Sequence, residues 1–280
     1  MTCYRGRQVS LATRHCKEKA VARPMRVLGL ETIVPPDIDT DSLGTFSGEI
    51  PRNGTPRDVC LRKARLGMAM TGLRLGIANE GSFGPHPFVP FIASGHEIMT
   101  FVDDDRGWVI VESVWAKWTN YNHAEVRSFD ELANWLPKVH FPTHAVMVWP
   151  KSNRAAVEKG VQTHEELKRA VERAGRISTD GIAWVATDMR AHVNPTRMSS
   201  IRQLAFRLAR RMATPCPTCG VPGWGRTEIV PGLPCEICGT PTEKFKAEVF
   251  ACIACDCQHE RPRPDGLVRA TAENCPNCNP

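Results

Sequence analysis

Residues 181–212 read GIAWVATDMRAHVNPTRMSSIRQLAFRLARRM, and this stretch decides the fold class. GIAWVA has the length and apolar character of a strand. After the polar turn TDMRAH, Asn194 and Pro195 supply a helix N-cap and a proline at the first helical position. From there Ile201, Leu204, Leu208 and Met212 recur at helical spacing, with Arg202, Arg207, Arg210 and Arg211 outside the stripe. A strand that passes through a turn into an amphipathic helix is the repeating unit of an α/β protein. The same alternation runs back through the chain, with strand-like runs at 8–13, 29–34, 73–78, 97–103, 108–115 and 144–149. Helices are predicted at 56–71, 129–137, 163–175 and 195–212, and the DDDRG stretch at 103–107 predicts a hairpin turn. The expected fold class is α/β, a mixed sheet flanked by helices.

At ATPCP (213–217) the helical pattern gives way to a Pro-, Gly- and Cys-rich composition. The expected organisation is an α/β phosphate-ligand domain over 1–213 and a Cys-rich zinc-binding module over 214–280. Of the 12 cysteines, three precede residue 61 and nine follow residue 215, a clustering that favours metal over disulfides. Cys216/Cys219, Cys235/Cys238, Cys252/Cys255 and Cys275/Cys278 are Cys-x-x-Cys knuckles, enough for two closed structural zinc sites of four thiolates each. Two pairings stay open. Phe245, Ala247 and Val249 alternate between the second and third knuckles as in the hairpin of a zinc ribbon, which would leave the first and fourth to close an outer site. Sequential pairing has acceptable spacings as well. Cys257 and His259 read as bystanders. Residues 214–280 hold six Lys/Arg against eight Asp/Glu, so the first 213 residues carry +8 and the tail −2 of the +6 net charge. Zinc thiolates add further negative charge, so the module reads as a structural staple or protein-partner surface rather than a phosphate binder. No run reaches the about 18 apolar residues of a membrane span and no apolar signal core opens the chain, so the expected location is cytoplasmic.

Four polar constellations stand out in the body. Thr55, Pro56 and Asp58 predict the start of the helix at 56–71, on which Lys63 shares a face with Val59, Leu66 and Met70. A lysine in an apolar stripe either snorkels to the rim of the core or reaches a bound anion. Beyond the strand at 73–78, NEGSFGPHP (79–87) reads as a glycine-rich turn that places Glu80 at a strand end, where α/β sheets gather ligands. Upstream, Asp37, Asp39, Asp41 and Glu49 crowd a loop that is either a solvated turn or a divalent-metal site. In the opening stretch Asp188, Arg190 and His192 alternate ahead of a helix N-terminus that also carries Arg197, which reads as a salt-bridge knot or an anion site.

The blocks DTD-x-x-GTF-x-GEI-x-R, NEGSFGP, TDMRAH-x-NPTR and the tail from GLPC-x-x-CG to C-x-x-CNP resemble an uncharacterised bacterial domain family across nearly the whole chain. Where that family's pattern has RHGKE, residues 14–18 read RHCKE. More distantly, the order of features is similar to the inosine/xanthosine triphosphatase family: Thr13 and Lys17, an acidic loop, Lys63-Ala64, Glu80-Gly81 and Thr196-Arg197. That resemblance implies a metal-dependent hydrolase of a phosphate-bearing, nucleotide substrate. Thr13, Lys17, Lys63, Asn194 and Arg197 would bind phosphate, Asp41 and Glu80 would hold Mg²⁺, and Asp188 or His192 would move a proton. The rival reading is a non-enzymatic nucleic-acid-binding or adaptor protein, with phosphate on the basic body and a protein partner on the zinc tail. Charges that converge at strand ends favour the pocket, and charges spread over a convex face favour the binding surface.

Overall fold

The computed structural model describes residues 4–43, 53–86, 89–116, 118–154 and 158–280. The chain divides into two compact units, Met1–Ala209 and Arg210–Pro280. In the first, β1 (Gln8–Ala12), α1 (Glu18–Val27), β2 (Glu31–Ile33), α2 (Pro56–Thr71), β3 (Leu75–His86), β4 (Val89–Asp103) and β5 (Trp108–Trp115) follow one another. Their strands form a sheet of order β2-β1-β3-β4-β5. β1 is parallel to both neighbours and the β3–β4–β5 ladder is antiparallel, so the sheet is mixed, as the sequence predicts. β6 (His123–Val126), β7 (Val146–Pro150), β8 (Glu158–Val161), α3 (His164–Ile177) and β9 (Ala183–Thr187) build an antiparallel sheet of order β6-β9-β7-β8. One face of that sheet closes on α3 through Leu167, Ala170, Val171, Val148 and Val185. The last helix, α4 (Pro195–Ala213), buries Ile201, Leu204, Leu208 and Met212 as its periodicity requires.

α2 starts with the predicted capping box, Thr55 and Asp58 exchanging bonds ahead of Pro56. Its buried face differs from the expected stripe. Val59, Cys60, Lys63, Ala64, Gly67 and Met68 face inward, while Leu66 is half-buried and Met70 is exposed. The helix lies so close to the sheet that a Cβ on Gly67 would stand 2.7 Å from Ser10 Oγ. Small residues therefore occupy the contact, and the larger Leu66 and Met70 are displaced from it.

Two further expectations are corrected. NEGSFGPHP is not a turn: residues 79–86 continue β3, paired against β4 from Met99 back to Val89. Glycine suits this stretch for close packing, since a Cβ on Gly81 would meet the Arg197 guanidinium at 2.5 Å and both Glu97 carboxylate oxygens at 2.8 Å. The helix at 129–137 is only a short 3-10 turn, Phe129–Leu132, and a series of turns continues toward Pro142. Pro137 removes a backbone donor from that stretch. Strands β6 and β8, each four residues long, and α1, interrupted by Pro24, escaped the periodicity.

In the second unit β10 (Gly225–Pro231), β11 (Phe245–Ala251) and β12 (Gln258–Pro262) form an antiparallel meander of order β10-β11-β12. A knuckle lies before, between and after these strands, so successive knuckles fall at opposite ends of the sheet. Gly225 pairs with Ala251 and Ala251 with Gln258, which brings the first and third knuckles to one end. The second and fourth meet at the other.

At the β1–α1 junction Cys16 has φ 54, in the left-handed region that favours glycine. The glycine in the related RHGKE pattern thus serves backbone conformation. Cys16→Gly is expected to be at least as stable as the parent, whereas Cys16→Val, β-branched at a positive φ, should lose about 1–2 kcal/mol in urea unfolding. Equal stability of all three would contradict this account of the junction.

Candidate functional site

β1 ends at Ala12, opposite Ala78, but β3 runs on to His86. Past Ala12 the chain folds back over the open edge of β3. Thr13 Oγ1 accepts the N–H groups of His15 (3.1 Å) and Lys17 (3.4 Å), which fixes the turn. Lys17 is buried, and its Nζ donates to the Asn79 carbonyl at 3.0 Å, on the edge that β1 leaves uncovered.

Side chains of β3 alternate about this edge. Glu80 faces α2 and accepts Lys63 Nζ at 2.7 Å. Asn79 and Gly81 face the other way with Glu97 of β4. Glu97 accepts Arg197 Nε at 2.8 Å and Asn79 Nδ2 at 2.9 Å. Arg197 also donates to the Met189 carbonyl and lies over the Phe83 ring, 5.1 Å from its centroid. Both ion pairs are nearly dry, with side chains 9% and 7% exposed for Lys63–Glu80 and 6% and 1% for Arg197–Glu97. Burial above all, then Arg197, lowers the Lys17 pKa to about 8, with Glu97 and Glu80 opposing the shift and Lys63 adding to it. Lys17 thus feels the pairs on both faces of the sheet. Among the described residues around the end of β1, three buried cations, Lys17, Lys63 and Arg197, stand against two buried carboxylates, Glu80 and Glu97. A buried excess of positive charge is costly unless an anion joins it. Asn79 Oδ1 is a further buried acceptor with no hydrogen-bond partner, its amide nitrogen being spent on Glu97 and the Ile98 carbonyl.

At the mouth, His15 stacks on His192 with ring centroids 5.1 Å apart. Burial, then Lys17, His192, Arg197 and Arg190, push the His15 pKa down to about 3. His192 is exposed and its pKa is also lowered, by desolvation and then Arg190. Next to Thr13 opens a cleft of about 560 Å³ lined by Thr13, Arg14, Pro35, Asp37, Ile38 and Asp39. Asp39 pairs there with Arg14 at 3.1 Å. Asp41 begins a 3-10 turn, Asp41–Leu43; its side chain, like Glu49, lies outside the described residues.

The structure therefore gathers Thr13, Lys17, Lys63, Glu80, Arg197 and His192 about the end of β1, and gives two predicted residues other surroundings. Asp188 is fully buried, gripped by Arg190 Nε (3.0 Å) and Nη2 (2.6 Å) and by the Gly160 N–H (3.1 Å). Asn194 caps α4, its Oδ1 accepting Arg197 N–H at 3.0 Å, while His144 Nε2 accepts Thr196 N–H at 3.2 Å. Those two first-turn donors are spent inside the protein. His15, Asn79 and Glu97 were missed. Glu97 carried a signal: an acid opening an otherwise apolar strand run needs a buried partner.

In the second unit the cysteines form two groups, Cys216, Cys219, Cys252 and Cys255, and Cys235, Cys238, Cys275 and Cys278. This interleaved pairing is neither of the two weighed from the sequence. Sulfur separations are 3.6 and 3.8 Å in the first group and 3.4–3.9 Å in the second. A zinc tetrahedron with bonds of about 2.3 Å has edges of about 3.8 Å, so both groups could hold Zn²⁺ as closed structural sites. Backbone N–H groups of Thr218, Ile237 and Ala254 point at Cys216, Cys235 and Cys252 Sγ, and Gly220 and Gly239 take φ 72 and 71 after the second cysteine of their knuckles. Cys257 belongs to neither group; its sulfur accepts the Thr218 hydroxyl at 3.0 Å, with His259 3.9 Å away.

The sequence model of DUF6671, a domain of unknown function, matches residues 63–280. This agrees with the uncharacterised family read from the sequence blocks. No curated protein matches the chain.

Lys63→Met removes a buried cation from Glu80 and should cost about 3 kcal/mol in urea unfolding, most of it recovered when Glu80→Gln is added. A single variant as stable as the parent would show that the pair is not a buried unit. Cys219→Ser with Cys255→Ser should retain about one zinc per chain, because both lie in one group, whereas Cys219→Ser with Cys238→Ser should retain far less. Metal analysis that ranks the two double variants the other way would refute the interleaving.

Proposed function

The chain belongs to DUF6671, a family whose description names no activity, and from the chemistry of the site itself we propose that Met1–Ala209 binds a phosphate-bearing ligand and hydrolyses it with a divalent ion. The observation that carries this reading is the buried charge around the end of β1, where, among the described residues, three buried cations, Lys17, Lys63 and Arg197, stand with two buried carboxylates, Glu80 and Glu97. These cations are enclosed rather than spread over a convex face, which favours a pocket over a nucleic-acid surface for this unit. The nucleotide character of the ligand rests on the order of motifs shared with nucleoside triphosphatases.

Lys17, at the centre, is the primary phosphate contact, and the Thr13 turn aims it. Lys63 and Arg197 complete the positive field. His192, exposed and stacked on a neutral His15, is the group available for proton transfer at the mouth. A divalent ion would supply Lewis-acid polarisation of a phosphoryl oxygen, and Asp41 and Glu80 are the residues that would hold it. Asp188 holds Arg190, and through it the turn that carries His192.

Calorimetric titration with pyrophosphate and nucleoside triphosphates, with and without Mg²⁺, tests this directly. Binding should weaken at least about tenfold in Lys17→Met, as for a buried charged hydrogen bond. In the parent, affinity should fall as pH rises through about 8, because Lys17 must be protonated to hold an anion. Phosphate release should require Mg²⁺. Affinity that is flat from about pH 7 to about pH 10, or unchanged in Lys17→Met, would overturn the assignment.

A further inference from the structure

By composition residues 214–280 are acidic, which argues against phosphate binding. The meander, however, sorts its charges by face. Its register puts Arg226, Phe250 and His259 in one cross-strand row and Ile229, Glu248 and Arg261 in the next. Alternation along β11 adds Lys246 to the same face. Glu228 and Glu260 flank Val249 on the opposite face. The basic face thus carries one cation from each strand, Arg226, Lys246 and Arg261, all exposed. Its acid, Glu248, has a side chain only 13% exposed and is bound to Arg226. The Arg261 guanidinium lies 4.3 Å from the centroid of the half-buried Phe250 ring, and Ile229 beside them is 55% exposed. The two cysteine groups, which would be negative with zinc bound, lie at the two ends of the sheet.

We propose that this face binds single-stranded nucleic acid, with a base stacking on the Phe250–Arg261 pair, and with Arg226, Lys246 and the N–H edge of Arg261 contacting phosphates. Net charge describes a whole unit, whereas binding depends on the face presented. A guanidinium laid over an aromatic ring and flanked by cations on an open sheet is a platform that takes unpaired bases, which a duplex keeps stacked inside. An acidic peptide would satisfy the cations but has no planar group for the ring. The proposal concerns Arg210–Pro280 alone and stands apart from the anion site of the first unit.

The test is fluorescence anisotropy of the full, zinc-loaded chain with a labelled oligothymidine of about twelve nucleotides, within the usual site size of single-strand binders. Three phosphate contacts predict a slope of log affinity against log salt of about −2. Phe250→Leu should weaken binding roughly tenfold at unchanged slope. Lys246→Gln with Arg261→Gln should bring the slope to about −0.7, for the single contact left. Zinc content and circular dichroism check that each variant is folded, and Lys246→Glu, at an exposed position, gives an independent loss if the double variant does not fold. The proposal is overturned by the absence of binding at low salt, by binding indifferent to these substitutions, or by an acidic peptide that competes as well as the oligonucleotide.

Discussion

The polar centre of this protein follows from a mismatch in strand length. β1 stops at Ala12 while β3, hydrogen-bonded to it up to Ala78, continues to His86. A strand edge inside a folded protein exposes backbone carbonyls that must be satisfied. Here the chain satisfies one with a side chain: it turns through Thr13, takes Cys16 through a left-handed conformation and sets Lys17 Nζ on the Asn79 carbonyl. Placing an ammonium at that edge brings it near both faces of the sheet. The Lys63–Glu80 pair on one face and the Arg197–Glu97 pair on the other then bear on one charge.

Buried ion pairs contribute little net stability against well-packed apolar residues of the same volume. Among the described residues, two such pairs flank a lysine that has no carboxylate of its own, and this supports the proposed anion site. Their dryness matters as well, since the same charges on the surface would be screened by water and salt. Tight packing fixes the geometry: Gly67 lets α2 approach the sheet, and Gly81 leaves room for the Arg197 guanidinium.

Much of this was legible in the sequence, for reasons that can be located. The capping box at Thr55, the stripe of α4 and the mixed sheet all come from local periodicity and cap chemistry. Glu80 was misplaced because NEGSFGPHP contains two glycines and two prolines, the composition of a turn, although Gly81 serves close packing in a strand. The partnership of Arg197 with Glu97 spans 100 residues of sequence, and no local pattern encodes it. The knuckle pairing was recoverable in principle. GRTEIVP and QHERP, read as strands, make a three-stranded meander with a knuckle at each turn, and alternation of ends then dictates first with third and second with fourth. Those two strands were missed because their apolar content is low and β12 is exposed along its whole length.

Whether an anion settles at the uncovered edge of β3 can be seen directly. Crystals of the full chain soaked with tungstate, a phosphate mimic with strong anomalous scattering, would show where the tetrahedral anion rests. The account predicts anomalous density within hydrogen-bonding distance of Lys17 Nζ, about 2.7–3.2 Å, between the Thr13 turn and the Lys63 and Arg197 side chains. Tungstate bound only at exposed arginines, with Lys17 still donating to Asn79 and no density beside it, would contradict the account.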